Sequence, residues 1–317
     1  MVKKVIAISD CDHLYMAEEQ QVCERYEVEY ILFHCHTEDD LIQNLQGYEA
    51  VANQYAPFTE RVFAALPNLK MIVRYGVGVN NIDLEAASRH RVAVCNVPDY
   101  GVQEVAAHAF ALMMALTRKL VHMDASVKNG AWEYAQSIPV RRYQNMTFGV
   151  VGLGRIGNCF AGMLLPFGGR VLGYEIKSDR IFPDFVERVD FDTLVRESDV
   201  ISLHCNLETS RNLFNLDVMR KMKREAVLIN VSRGGIVNED DLAIALNGGI
   251  IAGAGIDVTL TEPLPQGSPL LRAQNIILTP HMAWYSEEAS SDLKTKTAEE
   301  AARYLTGKPL LNQLNRF

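Results

Sequence analysis

The segment Val150-Val151-Gly152-Leu153-Gly154-Arg155-Ile156-Gly157 constrains this chain more than any other. It sets G-x-G-x-x-G directly after a strand-like run (147–151) and before a helical one (158–166). Each glycine answers a separate demand: Gly152 permits the tight turn, Gly154 lets the backbone approach a pyrophosphate, and Gly157 lets the helix pack closely on the strand. The free N–H groups at the helix start then face the phosphates, where the dipole favours negative charge. Alone, such a motif says little. The further requirement is an acid ~20 positions on, at the end of the next strand. Val171-Leu172-Gly173-Tyr174-Glu175 supplies Glu175 there, followed closely by Lys177 and Arg180. A carboxylate at that point accepts the ribose hydroxyls and repels a 2′-phosphate, which favours NAD over NADP.

Around this loop, short β-rich apolar runs alternate with amphipathic ones. Residues 5–8, 30–33, 50–52, 71–74 and 92–96 read as strands of a first α/β unit, with helices at 15–26, 37–45 and 59–66. A long helix is expected over 102–122, apolar nearly all round between Val105 and Leu116 and therefore buried on more than one side. Further strands are expected at 147–151, 170–174, 200–204, 227–230, 252–257 and 276–279, and a last helix over 287–305. Such alternation implies parallel sheets covered on both faces.

The bulk numbers agree. At roughly 100–200 residues per domain, 317 residues suggest two domains. With 48% hydrophobic and 22% charged residues there is material for two cores. A net charge of −8 disfavours a nucleic-acid or acidic-membrane surface. The longest apolar stretch falls short of the ~20 residues of a membrane span, and no signal-peptide pattern is seen. The six cysteines form no C-x-x-C pair. A cytoplasmic protein with free thiols is expected. No His/Cys/Asp cluster has metal-ligand spacing, so no metal is expected.

Four segments carry chemistry-bearing residues at strand ends, where ligands of parallel sheets bind. Arg233, in Val231-Ser232-Arg233-Gly234-Gly235, can hold a carboxylate bidentately and polarise an adjacent carbonyl. Asp257 can accept from a carboxamide NH2, and Glu262 precedes Pro263. His281 follows Pro280 and suits proton exchange near neutral pH; a carboxylate beside it favours the imidazolium, so Glu262 and His281 would form an acid–base unit. In the first unit, Arg74-Tyr75-Gly76-Val77-Gly78 sets backbone N–H groups beside a cation, a carboxylate cradle.

Together and in this order these motifs, with Pro280-His281-Met282-Ala283-Trp284, resemble the D-isomer-specific 2-hydroxyacid dehydrogenases along essentially the whole chain. The Arg74–Asp83 stretch is similar to the phosphoglycerate dehydrogenase branch; the stretch from His281 to Ser290 is more similar to the C-terminal-binding proteins, corepressors that keep a dehydrogenase fold.

The resemblance implies two Rossmann-like, doubly wound parallel-sheet α/β domains with a cleft between them. The substrate-binding domain would comprise 1–98 plus 285–317 and the NAD-binding domain 99–284. It implies an NAD-dependent oxidoreductase that reduces a small 2-oxo acid to a D-2-hydroxy acid, and the reverse. Arg233, Glu262 and His281 match the family's catalytic set. NAD would be held by Val77, Gly152, Gly154, Arg155, Ile156, Gly157, Glu175, His204, Cys205, Asn206, Thr209, Val231, Ser232, Arg233, Asp257 and His281. The substrate would be held by Arg74, Val77, Gly78 and Trp284. A homodimer is implied, formed through the nucleotide domain, where the helix near Val105–Leu116 fits. The alternatives are an NAD(H)-sensing, corepressor-like dimeric binding protein, and a 3-phosphoglycerate dehydrogenase, for which Asn53 and Gln54 would add no charge.

Overall fold

A computed structural model of the chain describes residues 4–13, 15–177 and 180–317. The chain divides into two compact units, 1–100 with 286–317, and 101–285.

The first unit is built on a sheet whose strands are all parallel, in the order β2-β1-β3-β4-β5: β1 (Val5–Ile8), β2 (Glu29–Leu32), β3 (Ala50–Asn53), β4 (Met71–Arg74) and β5 (Ala93–Cys95). Helices α1 (Ala17–Tyr26), α2 (Glu38–Asn44), α3 (Glu60–Ala65) and α4 (Leu84–Arg89) alternate with the strands. The central strands β3 and β4 are buried and read as continuous apolar runs, as strands covered on both faces must. The helix starts are written locally. Thr37 and Asp40 form a reciprocal capping box for α2, and the Asp83 side chain caps α4.

The second unit runs from α5 (Val102–Thr117) and α6 (Leu120–Lys128) into β6 (Thr147–Val151), α7 (Arg155–Leu164), β7 (Arg170–Tyr174), β8 (Val186–Arg188), α8 (Phe191–Glu197) and β9 (Val200–Leu203). It continues through α9 (Leu216–Met219), β10 (Val227–Asn230), α10 (Glu239–Asn247), β11 (Gly253–Ile256) and β12 (Ile276–Leu278). α11 (Glu287–Leu305) returns to the first unit, where it packs on α1, β3 and β4. The second sheet is parallel throughout, in the order β12-β11-β10-β9-β6-β7-β8. The chain reverses its direction of progress between β6 and β9, and the glycine loop leaves β6 at that switch point.

Two elements depart from expectation. The single helix over 102–122 is two. Lys119 adopts a left-handed conformation (φ 54°), and the Thr117 hydroxyl donates back to the Met113 carbonyl, which ends α5. The edge strand β8 is short, and only its first residue is buried, so no apolar period announces it. Among the described residues no helix is long and apolar enough to cross a membrane.

Candidate active site

In the second unit the glycine loop does what its spacing asks. Gly152 has φ 91°, and a Cβ there would come within 2.6 Å of the His204 carbonyl oxygen. A Cβ on Gly157 would lie 2.0 Å from the Gly152 carbonyl oxygen, so this glycine is what lets α7 sit on β6. Gly154, the N-cap of α7, faces open space and has no side-chain cap. The first helical N–H groups, from Arg155 to Gly157, therefore point toward that space without intrahelical acceptors. An open glycine over a bare helix start at a switch point fits a pyrophosphate. The Glu175 carboxylate lies alongside: it accepts from the Leu153 N–H (3.1 Å) and the Lys177 N–H (3.1 Å), and Arg180 Nε lies 4.0 Å away.

The far side of this edge is held by a web of short bonds. Ser232 Oγ donates to the Cys205 carbonyl (2.7 Å), and Asn230 Nδ2 donates to the Arg233 carbonyl (2.9 Å). Asn206 Oδ1 accepts from both the N–H and the hydroxyl of Thr209. Val231 is buried beneath. The His204 ring points inward against Phe160, with Nε2 2.9 Å from the Ser202 hydroxyl. Burial pushes this imidazole down to about 3, so it is neutral at any physiological pH. What His204 offers the edge is its backbone.

Arg233, Glu262 and His281 come together although the sequence separates them. A Cβ on Gly234 would lie 1.9 Å from the Thr259 carbonyl oxygen, so only a glycine lets the Arg233 loop lie on the loop that carries Glu262. Glu262 Oε2 meets His281 Nδ1 at 2.7 Å, and Oε1 accepts from the Thr259 N–H at 3.0 Å. Partial burial would raise the Glu262 pKa, but the His281 hydrogen bond and charge, the Thr259 N–H and the Arg233 charge outweigh it and hold the carboxyl below its usual range. Glu262 is thus anionic, Nδ1 carries the proton that faces it, and Nε2 is left on the outer side of the ring. The ring is about two-fifths exposed and can be reached by a reactant.

His281 itself has φ 53°, a left-handed conformation that costs a side-chain-bearing residue on the order of 1 kcal/mol. Asp257 holds it there. Its carbonyl accepts from the His281 N–H (2.8 Å), Oδ1 from the Met282 N–H (3.0 Å), and Oδ2 from the Ala283 N–H (3.0 Å). Oδ1 also accepts from the Thr279 hydroxyl (2.6 Å), and the carboxylate is fully buried. The expected carboxamide role for Asp257 therefore meets a group already committed to its own loop, with one acceptor position left on Oδ2. Trp284 follows in the same turn, its ring edge-on to Tyr285.

In the first unit, β4 ends at Arg74, whose Nε donates to the Gln54 carbonyl (3.1 Å). Its guanidinium lies over Gly76 (φ 140°), where a Cβ would overlap Arg74 Nη1. Asn96 Nδ2 donates to the Val77 carbonyl (2.6 Å) and fixes the turn that presents Val77 and Gly78. Asn53 is buried and donates to Asp10 (2.9 Å), while the Gln54 side chain accepts from the Asp12 N–H (2.9 Å). Both serve the scaffold of these loops. Among the described residues no His/Cys/Asp/Glu group could hold a metal ion.

Comparison with known proteins points one way. Residues 110–283 match the family described as D-isomer specific 2-hydroxyacid dehydrogenase, NAD binding domain. The chain is 37% identical over 282 residues to a glyoxylate reductase from Korarchaeum cryptofilum, covering 87% of this chain and 85% of that protein. It is 38% identical over 283 residues to a D-3-phosphoglycerate dehydrogenase from Synechocystis sp., covering 88% of this chain but only about half (51%) of that one. A solved NAD-dependent formate dehydrogenase from Staphylococcus aureus, in complex with NAD, superimposes with a TM-score of 0.84 at 27% identity, covering 97% of each chain.

Proposed function

The chain belongs to the D-isomer-specific 2-hydroxyacid dehydrogenase family, and from that premise we propose that it reduces a small 2-oxo acid to the D-2-hydroxy acid, and runs the reverse reaction, with NAD as its cofactor. The observation that carries this reading is the His281 Nδ1–Glu262 Oε2 contact of 2.7 Å beside Arg233, at the sheet edge that also bears the glycine loop.

NADH, when bound, supplies the hydride that reduces the carbonyl carbon. In our reading the open Gly154 and the α7 start take the pyrophosphate, with Arg155, Ile156 and Gly157 lending N–H groups. Glu175 takes the ribose hydroxyls; His204, Cys205, Asn206 and Thr209 border the adenine. Val231, Ser232 and Asp257 flank the nicotinamide end. Trp284 borders the substrate's side chain, and in the first unit Arg74 with the Val77 and Gly78 N–H groups forms a carboxylate cradle. Arg233 polarises the keto oxygen. His281 gives that oxygen a proton from Nε2, and Glu262 compensates the charge the ring holds before transfer. The reverse direction needs Nε2 deprotonated.

We also read the protein as a homodimer in the cytoplasm. The six cysteines are free thiols, which suits a reducing compartment. α6 buries none of its residues, and Leu120, Val121, Trp132, Tyr134 and Ile138 stand exposed around it. A cavity of about 900 Å³ lies between this arm and the amino edge of the second sheet, with Leu116, Val121 and Ile276 in its lining. α5 packs on α7, β10 and β11 of its own unit yet leaves Ala107 and Ala111 exposed, so the surface a second copy would cover comprises this face of α5 and the arm.

The test is NADH oxidation by the purified protein with glyoxylate, pyruvate, hydroxypyruvate, phosphohydroxypyruvate and a longer apolar 2-oxo acid. Turnover that His281→Ala lowers on the order of 10²–10⁴-fold, with NADH binding retained, is the expected outcome. Tight NADH binding with no turnover on any of them would favour the sensor alternative and count against the enzyme.

A further inference from the structure

His108 stands on α5, far in sequence from the reacting groups, yet its Nε2 lies 3.0 Å from the Thr279 hydroxyl, and 3.7 Å from Asp257 Oδ1. A hydroxyl has one hydrogen. Thr279 gives that hydrogen to the Asp257 carboxylate, the stronger acceptor, at 2.6 Å. At the His108 contact Thr279 must therefore accept, and His108 must donate from Nε2–H. The result is a one-directional chain, His108 Nε2–H to Thr279 O–H to Asp257 carboxylate. Its far end is the carboxylate that gathers the Met282 and Ala283 N–H groups, while the Asp257 carbonyl takes that of His281. Hydrogen bonds in such a chain polarise and strengthen one another in a buried setting. This one is sheltered, with the His108 side chain 19% exposed and that of Asp257 at 0%.

We propose that His108 is a positioning residue for the catalytic histidine, fixing through Thr279 and Asp257 the left-handed turn that aims His281 at its reactant. The proposal rests on the dehydrogenase reading only for what His281 does. The clamp itself is a property of the second unit. The chain also explains why a polar group is kept on an otherwise apolar stretch of α5, between Ala106 and Leu112, both buried. A histidine without this duty would be a costly neighbour for them.

The test compares His108→Leu, His108→Gln and the near-isosteric Thr279→Val. Three readouts are taken: kcat and KM with the best 2-oxo acid, NADH binding by fluorescence, and amide hydrogen exchange at His281, Met282 and Ala283. His108→Leu and Thr279→Val should lower kcat on the order of 10–100-fold through misplacement of His281. KM and NADH affinity should hardly move. Exchange at the three amides should rise at least about tenfold while the β6 and β10 core stays protected. His108→Gln, which can still donate, should recover most of the loss. Unchanged kcat together with unchanged exchange at 281–283 would overturn the proposal. So would accelerated exchange spread evenly over the unit with a matching fall in Tm, since His108 would then be ordinary core. If wild-type protein turns over none of the acids, the enzymatic reading fails, and the exchange result alone decides the clamp.

Discussion

Glu262 and His281 show how much of this site is settled one side chain at a time. His281 holds Glu262 below the usual carboxylate range, so the carboxylate stays ionised well below neutrality and meets the ring as an anion. Reduction needs a proton on Nε2 of the ring while Nδ1 faces the Glu262 anion. Glu262→Gln keeps the shape and removes the charge. kcat/KM for reduction should therefore fall on the order of 10-fold or more, and its pH profile should differ from that of the wild type. Initial rates in both directions between pH 5 and 9 check this, and two superimposable profiles would dissolve the pair. Both residues could be singled out from sequence, because a histidine after a proline at a strand end and a glutamate before one are local features. The partnership of His108 with Thr279 could not, since 171 residues separate them and only the packing of α5 on β10 and β11 makes them neighbours.

At the scale of elements, the glycine loop separates fold from function within one motif. Gly157→Ala puts a Cβ 2.0 Å from the Gly152 carbonyl oxygen, and backbone cannot yield as a flexible side chain would. That variant should lose about 3 kcal/mol or more of stability in denaturant unfolding. Gly154→Ala meets nothing within 4 Å, so its stability should change by no more than about 1 kcal/mol. Its Cβ instead occupies the space proposed for the pyrophosphate, and NADH affinity measured by fluorescence titration should fall at least about tenfold. Equal stability losses in the two variants would mean that Gly154 is structural as well. The same scale shows where pattern stops short. β8 carries one buried residue and no alternation to read, and the break between α5 and α6 depends on the backbone at Lys119, a residue type that signals no turn.

For the whole molecule, the exposed apolar residues of the arm make the sharpest statement. A surface bearing Trp132 at 86% and Tyr134 at 83% exposure is the kind that a partner covers. Sedimentation should show twice the chain mass for the wild type, and Val121→Asp with Trp132→Ser should shift it toward a single chain. A wild type that sediments as one chain at micromolar concentration would remove the homodimer. Across the chain, the strand–helix alternation, the two parallel sheets and the glycine loop with Glu175 were set down by the sequence itself, as were Arg233, Glu262 and His281 as candidates for the chemistry. They follow from periods, spacings and residue chemistry that act over a few positions. What only the tertiary structure decided were the contacts between distant segments: Gly234 admitting Glu262 to Arg233, Asp257 turned inward to clamp the His281 loop, and His108 feeding that clamp from another helix. Each depends on side-chain direction and on closeness between chain segments, and neither is encoded in local order along the chain.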